Sequence, residues 1–204
     1  MYIKMYEDNT NPRHVRQVVD VLKKGGVIIY PTDTVYGIGC DITKPKAVEH
    51  VARIKGMNPK KARFSFICHD LSQVADYTPQ IDNHTFKLLK RNLPGPFTFI
   101  LPANNMVPKI LKSNRKEVGI RVPDNNIILS IVRELGNPIL TTSLKNEDEI
   151  LEYTTDPELI YEDFHKLVDM VIDGGVGHNV PSTVVNCNTG EPEIIRQGIG
   201  ELRL

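Results

Sequence analysis

Tryptophan is absent from this 204-residue sequence, and aromatic residues make up only 6% of it. Net charge is absent as well, because 25 basic residues balance 25 acidic ones. Binding of nucleic acid by bulk electrostatics needs a basic footprint, so the overall composition argues against it. No apolar run approaches the roughly 20 residues of a membrane-spanning helix, and the N-terminus lacks the apolar segment of a signal peptide. The sequence therefore predicts a soluble, cytoplasmic protein without a membrane partner.

Motifs for metals and nucleotides are missing too. The three cysteines form no C-x-x-C pair, and the six histidines show neither H-x-H nor H-x-x-x-H spacing. We therefore expect reduced, buried thiols and no protein-bound transition metal. Neither a G-x-x-x-x-G-K-[ST] loop nor a G-x-S-x-G elbow occurs, and no G-x-G-x-x-G lies between a strand and a helix. The glycine-rich segment 174–177 is interpreted as a sharp turn, because Pro181 follows where a helix would begin.

Charge is unevenly distributed although its sum is zero. Segment 44–63 contains seven basic residues and one acidic residue, and segment 147–163 contains eight acidic residues and no Lys or Arg. A local basic patch on a neutral protein remains compatible with this pattern.

Apolar runs and helical periodicities alternate along the chain. This alternation predicts a single α/β (or α+β) domain over residues 1–204, with a twisted mixed parallel and antiparallel sheet flanked by helices. Asn11 and Pro12 begin the first predicted helix, and Gly25-Gly26 ends it. The last two predicted strands form a hairpin that turns at 188–190. The predicted helices cover 12–24, 45–55, 82–91, 126–135 and 156–166, with another capped by Asp70 or Ser72; the predicted strands cover 27–30, 64–68, 97–101, 118–122, 139–143, 170–172, 183–187 and 193–196.

Polar side chains follow several predicted strands at the point where each strand ends. Since ligands of open sheets bind where strand ends converge, we expect these residues to meet at one edge. Hydroxyls and cationic side chains suit a polyanionic ligand. Each residue has a structural alternative as a helix cap or an ion-pair partner. The residues are Thr32, Asp33 and Thr34 after 27–30, Arg121 within 118–122, Thr141 to Ser143 with Lys145 after them, Ser182 and Thr183 after Pro181, and Arg196.

The segment GGVIIYPTDTVYGIGCD, residues 25–41, resembles the signature of the YrdC/YciO-like family, whose members include threonylcarbamoyl-adenylate synthases. The similarity continues through RIKG at 53–56, NLPGPFT at 92–98, VGIRVP at 118–123, PSTVV at 181–185 and RQG at 196–198. The resemblance implies a twisted mixed sheet around a large, concave, basic cleft. Longer relatives carry an additional C-terminal domain, which we expect this chain to lack.

The resemblance also implies a reaction and a set of site residues. L-Threonine, bicarbonate and ATP with Mg²⁺ give threonylcarbamoyl-AMP and pyrophosphate, and partner proteins use the adenylate to form threonylcarbamoyladenosine (t6A) at adenosine 37 of tRNA. Lys55 and Thr34 are the implied catalytic residues. Carried over by position, the threonine-binding residues are Thr32, Thr34, His69, Arg121 and Ser182, and the nucleotide-binding residues are Lys55, Ser143 and Arg196.

Two motifs depart from the pattern of the synthases. Lys-x-Arg is replaced by Lys55-Gly56-Met57, and Ser-x-Asn by Ser143-Leu144-Lys145, as in the YciO-like branch. A lost guanidinium contact removes a charge-assisted hydrogen bond worth ~1.5–3 kcal/mol. Two hypotheses follow: a synthase of weak activity, or a protein that binds double-stranded RNA, tRNA or the ribosome without efficient synthase activity. Segment 44–63 and the basic residues Lys109, Lys112, Arg115 and Lys116 support the second.

Overall fold

Ten strands form one sheet in the computed structural model, which describes residues 1–58, 62, 64–111, 116–144 and 155–204. Their order across the sheet is β1-β8-β2-β3-β7-β4-β6-β5-β9-β10. Four neighbouring pairs are parallel and five are antiparallel, so the predicted mixed sheet is confirmed. The strands are β1 Tyr2–Lys4, β2 Val27–Tyr30, β3 Gly37–Asp41, β4 Ser65–Ile67, β5 Phe97–Pro102, β6 Glu117–Arg121, β7 Ile139–Ser143, β8 Met170–Asp173, β9 Thr183–Asn186 and β10 Glu193–Arg196.

Six α-helices flank this sheet in the described part of the chain. The first begins as predicted, because Asn11 Oδ1 accepts a hydrogen bond from the Arg13 amide at 2.9 Å and Pro12 occupies the first helical position. Asp70 likewise caps the third helix by accepting from the Gln73 amide at 2.9 Å. The helices are α1 Pro12–Lys23, α2 Pro45–Ile54, α3 Leu71–Tyr77, α4 Asn83–Asn92, α5 Asn126–Leu135 and α6 Pro157–Phe164.

The two faces of the sheet differ in composition. One face is apolar along its length and packs against α2, α4 and α6 through residues such as Phe66, Phe99 and Leu140. The other face packs against α1 and α5 only in part, through Ile28 and Ile139. The rest of this second face carries small and polar residues, including Gly37, Gly39, Ser65, Gly119 and Thr141. We call this second face the polar face.

Two strands, β1 and β3, were not predicted. In β3, every second position is glycine, which has no side chain and is unfavourable inside a strand, so the usual strand pattern is absent from the sequence. Close packing requires these glycines: a Cβ at Gly37 would lie 2.9 Å from a ring carbon of Tyr30, and one at Gly39 would lie 1.9 Å from the Leu140 carbonyl oxygen. The remaining predicted elements agree with the structure to within about two residues at each end.

Candidate functional site

Predicted site residues that lie on the strands share a face of the sheet rather than an edge. Ser65 pairs with both Thr141 and Gly119, and paired residues point to the same side, so Ser143 and Arg121 both belong to the polar face. Their strands run in opposite directions, however, because β7 is antiparallel to β4 and β4 is parallel to β6. The expectation that these strand ends converge at one edge is therefore wrong, because the local pattern of residues within a strand does not specify its direction in the sheet.

Arg121 is the centre of a buried group of side chains on this face. Its Nη2 atom donates to Asp33 Oδ1 at 3.1 Å and to Thr34 Oγ1 at 2.9 Å. Asp33 Oδ2 accepts from the Asp124 amide at 2.9 Å, which fixes the carboxylate. The segment that follows β2 therefore folds back over the sheet. We call Thr32, Asp33, Thr34 and Arg121 the arginine cluster.

Thr32 determines the conformation of this segment. Its Oγ1 atom donates to the Val35 carbonyl at 2.8 Å and accepts from the Thr34 amide at 3.0 Å. Such local bonds between a hydroxyl and the backbone stabilise turns in place of regular structure. They explain why the chain turns directly after β2.

Burial dominates the electrostatics of the arginine cluster. It lowers the pKa of Arg121, although the charge of Asp33 opposes this effect. Burial also raises the pKa of Asp33, against the opposing effects of Arg121 and the Asp124 amide. Because the two side chains are only 9% and 10% exposed, removing either partner would leave a buried charge without compensation.

A second hydrogen-bonded group adjoins the arginine cluster. Thr98 lies beside Arg121 on the polar face, because Ile100 pairs with Gly119 and each lies two residues away. The Thr98 and Ser182 hydroxyls are 2.8 Å apart, and Arg196 Nη2 donates to the Ser182 carbonyl at 3.0 Å. Thr98 on β5 thus lies between Arg121 on β6 and Ser182 before β9, and exposed Arg196 lies next to Ser182.

His69 completes this region from the end of β4. Ile67 pairs with Arg121, and the Cys68 amide donates to the Arg121 carbonyl at 2.9 Å, so His69 follows directly beside the cluster. Its Nε2 atom lies 3.2 Å from Asp70 Oδ2. Its Nδ1 atom and Arg121 Nε are buried and have no hydrogen-bond partner among the described residues.

Lys55 and Ser143 form a separate part of the candidate site, which we call the lysine site. Lys55 Nζ donates to the carbonyl of Leu144 at 2.9 Å, next to Ser143 at the end of β7. Burial lowers the pKa of Lys55. Met57 is 39% exposed just beyond α2. Lys145, the other altered position, lies outside the described residues, as do Lys112 and Arg115.

Arg196 does not join the lysine site. Arg196 lies on β10, and strands β7 and β10 are five positions apart in the sheet, which at about 4.8 Å per strand corresponds to roughly 24 Å. The predicted nucleotide-binding residues Lys55, Ser143 and Arg196 are therefore divided between two separate places in the structure.

The sequence analysis assigned no role in the site to three residues of this region. Asp33 appeared in the polar segment, but nothing in the sequence paired it with Arg121. Thr98 is the last residue of the motif at 92–98, and no signal in the sequence distinguished it. Tyr30 belongs to an apolar run that indicates a core residue. Its hydroxyl nevertheless donates to Thr141 Oγ1 at 2.6 Å across the polar face.

The glycine-rich segment 174–177 forms a turn that packs against the loop after β2. The Tyr36 hydroxyl donates to the Gly175 carbonyl at 2.7 Å and accepts from the Gly174 amide at 3.1 Å. Gly175 has a φ of +92°, which favours glycine. The His178 amide donates to the Thr34 carbonyl at 3.2 Å, so this turn borders the arginine cluster.

Two cavities lie away from the predicted site residues. One, of about 640 Å³, lies beside β10 and includes Glu193 and Leu202 in its lining; the other, of about 260 Å³, lies between α3 and α4 and includes Val74 and Phe86. In the described ranges, no group of three or more His, Cys, Asp or Glu side chains is arranged to hold a metal ion. The described helices are all too short or too polar to span a membrane.

Comparison with known proteins identifies the family. The Sua5_yciO_yrdC family model, described as "Telomere recombination", matches residues 20–198. The chain therefore belongs to the Sua5/YciO/YrdC family, as its signature segments predicted.

Individual relatives place it within that family. It is 38% identical to YciO of Escherichia coli K12, across 99% of this chain and 97% of that protein. The crystal structure of E. coli YciO matches 98% of this chain and 97% of its own, with a TM-score of 0.91. It is 31% identical to the threonylcarbamoyl-AMP synthase of Bacillus subtilis 168, across 94% of this chain and 55% of that enzyme. The match to the crystal structure of P. abyssi Sua5 complexed with L-threonine covers all of this chain and 62% of the Sua5 chain, with 26% sequence identity and a TM-score of 0.87. The greater similarity is thus to YciO, and the predicted fold is confirmed.

Proposed function

We propose that this protein is a threonylcarbamoyl-AMP synthase-like nucleotidyltransferase of weak activity, with L-threonine bound at the arginine cluster. The observation that carries the proposal is the buried Arg121 guanidinium, which two neighbouring side chains hold while its Nε atom lacks a partner in the described structure. Family membership and the L-threonine complex of P. abyssi Sua5 support this ligand.

The amino-acid half of the site offers both charge and hydrogen-bond donors. A buried polar atom without a partner costs about 1–3 kcal/mol, and such atoms in native structures call for a specific explanation. Arg121 Nε and His69 Nδ1 are two such atoms on neighbouring strands. The side chains of Arg121 and His69 keep 9% and 23% of their surface exposed, so a small ligand with a carboxylate and hydroxyl or amino groups can approach both, which fits L-threonine.

The proposed reaction joins three substrates in two steps. The uncharged amine of threonine attacks the carbon of bicarbonate, a C–N bond forms, and water leaves to give a carbamate. A carboxylate oxygen of the carbamate then attacks the α-phosphorus of ATP, the bond to the bridging oxygen breaks, and pyrophosphate leaves. Mg²⁺ enters as part of the ATP substrate. Such a reaction needs aligned partners and neutralised charge rather than a covalent nucleophile.

Lys55 and Ser143 would meet the phosphates, and Arg196 would meet another part of the nucleotide. The separation of roughly 24 Å across five strand spacings means that only an extended ligand can reach both places. Met57 stands where the synthases carry the arginine of Lys-x-Arg, which accounts for the proposed weak activity.

A direct assay tests this function. The protein is incubated with MgATP, L-threonine and bicarbonate, and threonylcarbamoyl-AMP is detected by mass spectrometry alongside pyrophosphate. We expect the adenylate to require all three substrates and to disappear in Arg121→Lys. Thr78→Val, which alters a buried threonine at the end of α3, is the matched control and should keep the wild-type rate. Absence of adenylate at high enzyme concentration would refute the proposal.

RNA binding is the second candidate function. Helix α2, which ends at Ile54 just before Lys55, exposes Lys46 and Arg53. Lysines and arginines that contact phosphates give binding a strong dependence on salt. Double-stranded RNA and tRNA are titrated at several salt concentrations into wild type and a Lys46→Glu, Arg53→Glu variant. Salt-dependent binding that the variant weakens would support this function, and unchanged or absent binding would reject it. The t6A-pathway partners belong to the first function.

A further inference from the structure

We propose that Thr34 is a positioning residue that acts on the amino acid through Arg121 rather than by direct contact. This inference rests on the proposed function, because it assigns a role within the L-threonine site. It differs from the role that family resemblance implies, in which Thr34 touches the substrate.

The polarity of the Thr34 hydroxyl follows from its neighbours. The Val35 carbonyl can only accept a hydrogen bond, so the 2.8 Å contact with Thr32 Oγ1 uses the hydroxyl hydrogen of Thr32. The 3.0 Å contact between the hydroxyls of Thr32 and Thr34 must then use the hydrogen of Thr34. The Thr34 hydroxyl therefore donates to Thr32.

This assignment fixes what Thr34 can offer to Arg121. Its single hydroxyl hydrogen points to Thr32, so toward Arg121 Nη2, 2.9 Å away, Thr34 presents a lone pair. Asp33 Oδ1 accepts from the same Nη2 atom at 3.1 Å, and the Asp124 amide holds the other carboxylate oxygen. The guanidinium is thus held between two acceptors, and each acceptor is itself held by the backbone or by Thr32.

Thr34, which holds the Arg121 guanidinium in place, differs in solvent exposure from the side chains that a ligand can reach. Thr34 has 0% of its surface exposed, whereas the Arg121 and Asp33 side chains keep 9% and 10%. A ligand that approaches the polar face therefore meets Arg121 or Asp33 before Thr34. A guanidinium matches the geometry of a carboxylate, such as that of an amino acid, with two parallel hydrogen bonds.

A double-mutant cycle on L-threonine affinity tests the positioning role. Thr34→Val keeps the shape but removes the hydroxyl, Thr34→Ser keeps the hydroxyl, and Arg121→Lys removes the fork of donors. We expect Thr34→Val to weaken L-threonine binding about tenfold and Thr34→Ser to stay within about twofold of wild type. In the Arg121→Lys background, Thr34→Val should change the affinity by less than about twofold. A full effect of Thr34→Val in that background would overturn the proposal.

A second readout needs no ligand. NMR relaxation and hydrogen exchange of the Arg121 Nε–H group report how firmly the guanidinium is held. We expect faster motion and faster exchange in Thr34→Val, wild-type behaviour in Thr34→Ser, and no change in the control Thr78→Val. An Arg121 signal unchanged in Thr34→Val would contradict the positioning role. This readout decides the role of Thr34 even if Arg121→Lys abolishes binding or wild type binds no L-threonine. Absence of L-threonine binding to wild type would separately refute the proposed function.

Discussion

The arginine cluster and the lysine site differ in how closely each follows the pattern of the synthases. In the arginine cluster, Thr32, Thr34 and Arg121 are all present, and a continuous set of hydrogen bonds joins them. At the lysine site, Lys55 is retained and bonded to the Leu144 carbonyl, but exposed Met57 replaces an arginine. Under the proposed function, separate groups would recognise the amino acid and activate the nucleotide. The difference implies that substitutions can affect one function without the other.

The largest expected effect comes from breaking the buried ion pair. Arg121→Met leaves the Asp33 carboxylate buried without its cation, and such a loss costs about 3–5 kcal/mol of the free energy of unfolding. Urea denaturation measures this change. The control is Arg53→Met on the exposed side of α2, for which we expect a change within about 0.5 kcal/mol. Equal stability of the two variants would show that the pair contributes little.

Restoring an arginine at the lysine site should have the next largest effect. Met57→Arg adds a charge-assisted contact to the phosphates, so we expect adenylate formation to rise about 10- to 100-fold. Steady-state kinetics with MgATP and L-threonine measure the rate, with Met57→Leu as the control for a change of side-chain shape. An unchanged rate in Met57→Arg would mean that residue 57 does not face the nucleotide.

A smaller effect is expected from the hydroxyl under the polar face. Tyr30→Phe removes the donor to Thr141 Oγ1 within a fully buried environment. Leaving that oxygen unsatisfied should lower the free energy of unfolding by about 1–2 kcal/mol. Thermal and urea denaturation check this value, and a variant as stable as wild type would show that Thr141 finds another partner.

The smallest predicted effect is a shift in pH dependence. Burial lowers the pKa of Lys55, so its amine loses its proton at a lower pH than an exposed lysine does. If the charge binds phosphate, the rate falls as pH rises through this lowered pKa. Lys55→Arg stays charged across that range, because a guanidinium keeps its proton to higher pH. The pH profiles of wild type and Lys55→Arg should therefore diverge only on the alkaline side; parallel profiles would exclude the assigned role.

The sequence predicted the elements of the fold more fully than their arrangement. Caps such as Asn11 and Asp70, together with apolar periodicity, indicated most helices and strands correctly. Strand β3 was missed because the glycines that accommodate Tyr30 interrupt its pattern. Strand direction depends on contacts between distant segments, so the grouping of polar residues on a face rather than at an edge could not be derived.

The same distinction applies to the candidate site. Arg121 and Ser182 were predicted because polar residues follow or interrupt apolar runs within recognisable family motifs. The pairing of Arg121 with Asp33 joins residues 88 positions apart, and no local pattern specifies it. The roles of the predicted site residues remain predictions. They can be tested separately for the arginine cluster and for the lysine site.

Calorimetric titration of L-threonine into wild type, Arg121→Lys and Met57→Arg tests the central claim most directly. We predict saturable binding to wild type, at least about tenfold weaker binding to Arg121→Lys, and an affinity within about twofold of wild type for Met57→Arg. Failure of wild type to bind L-threonine, or equal loss of affinity in the two variants, would contradict the separation of an intact amino-acid site from an altered nucleotide site.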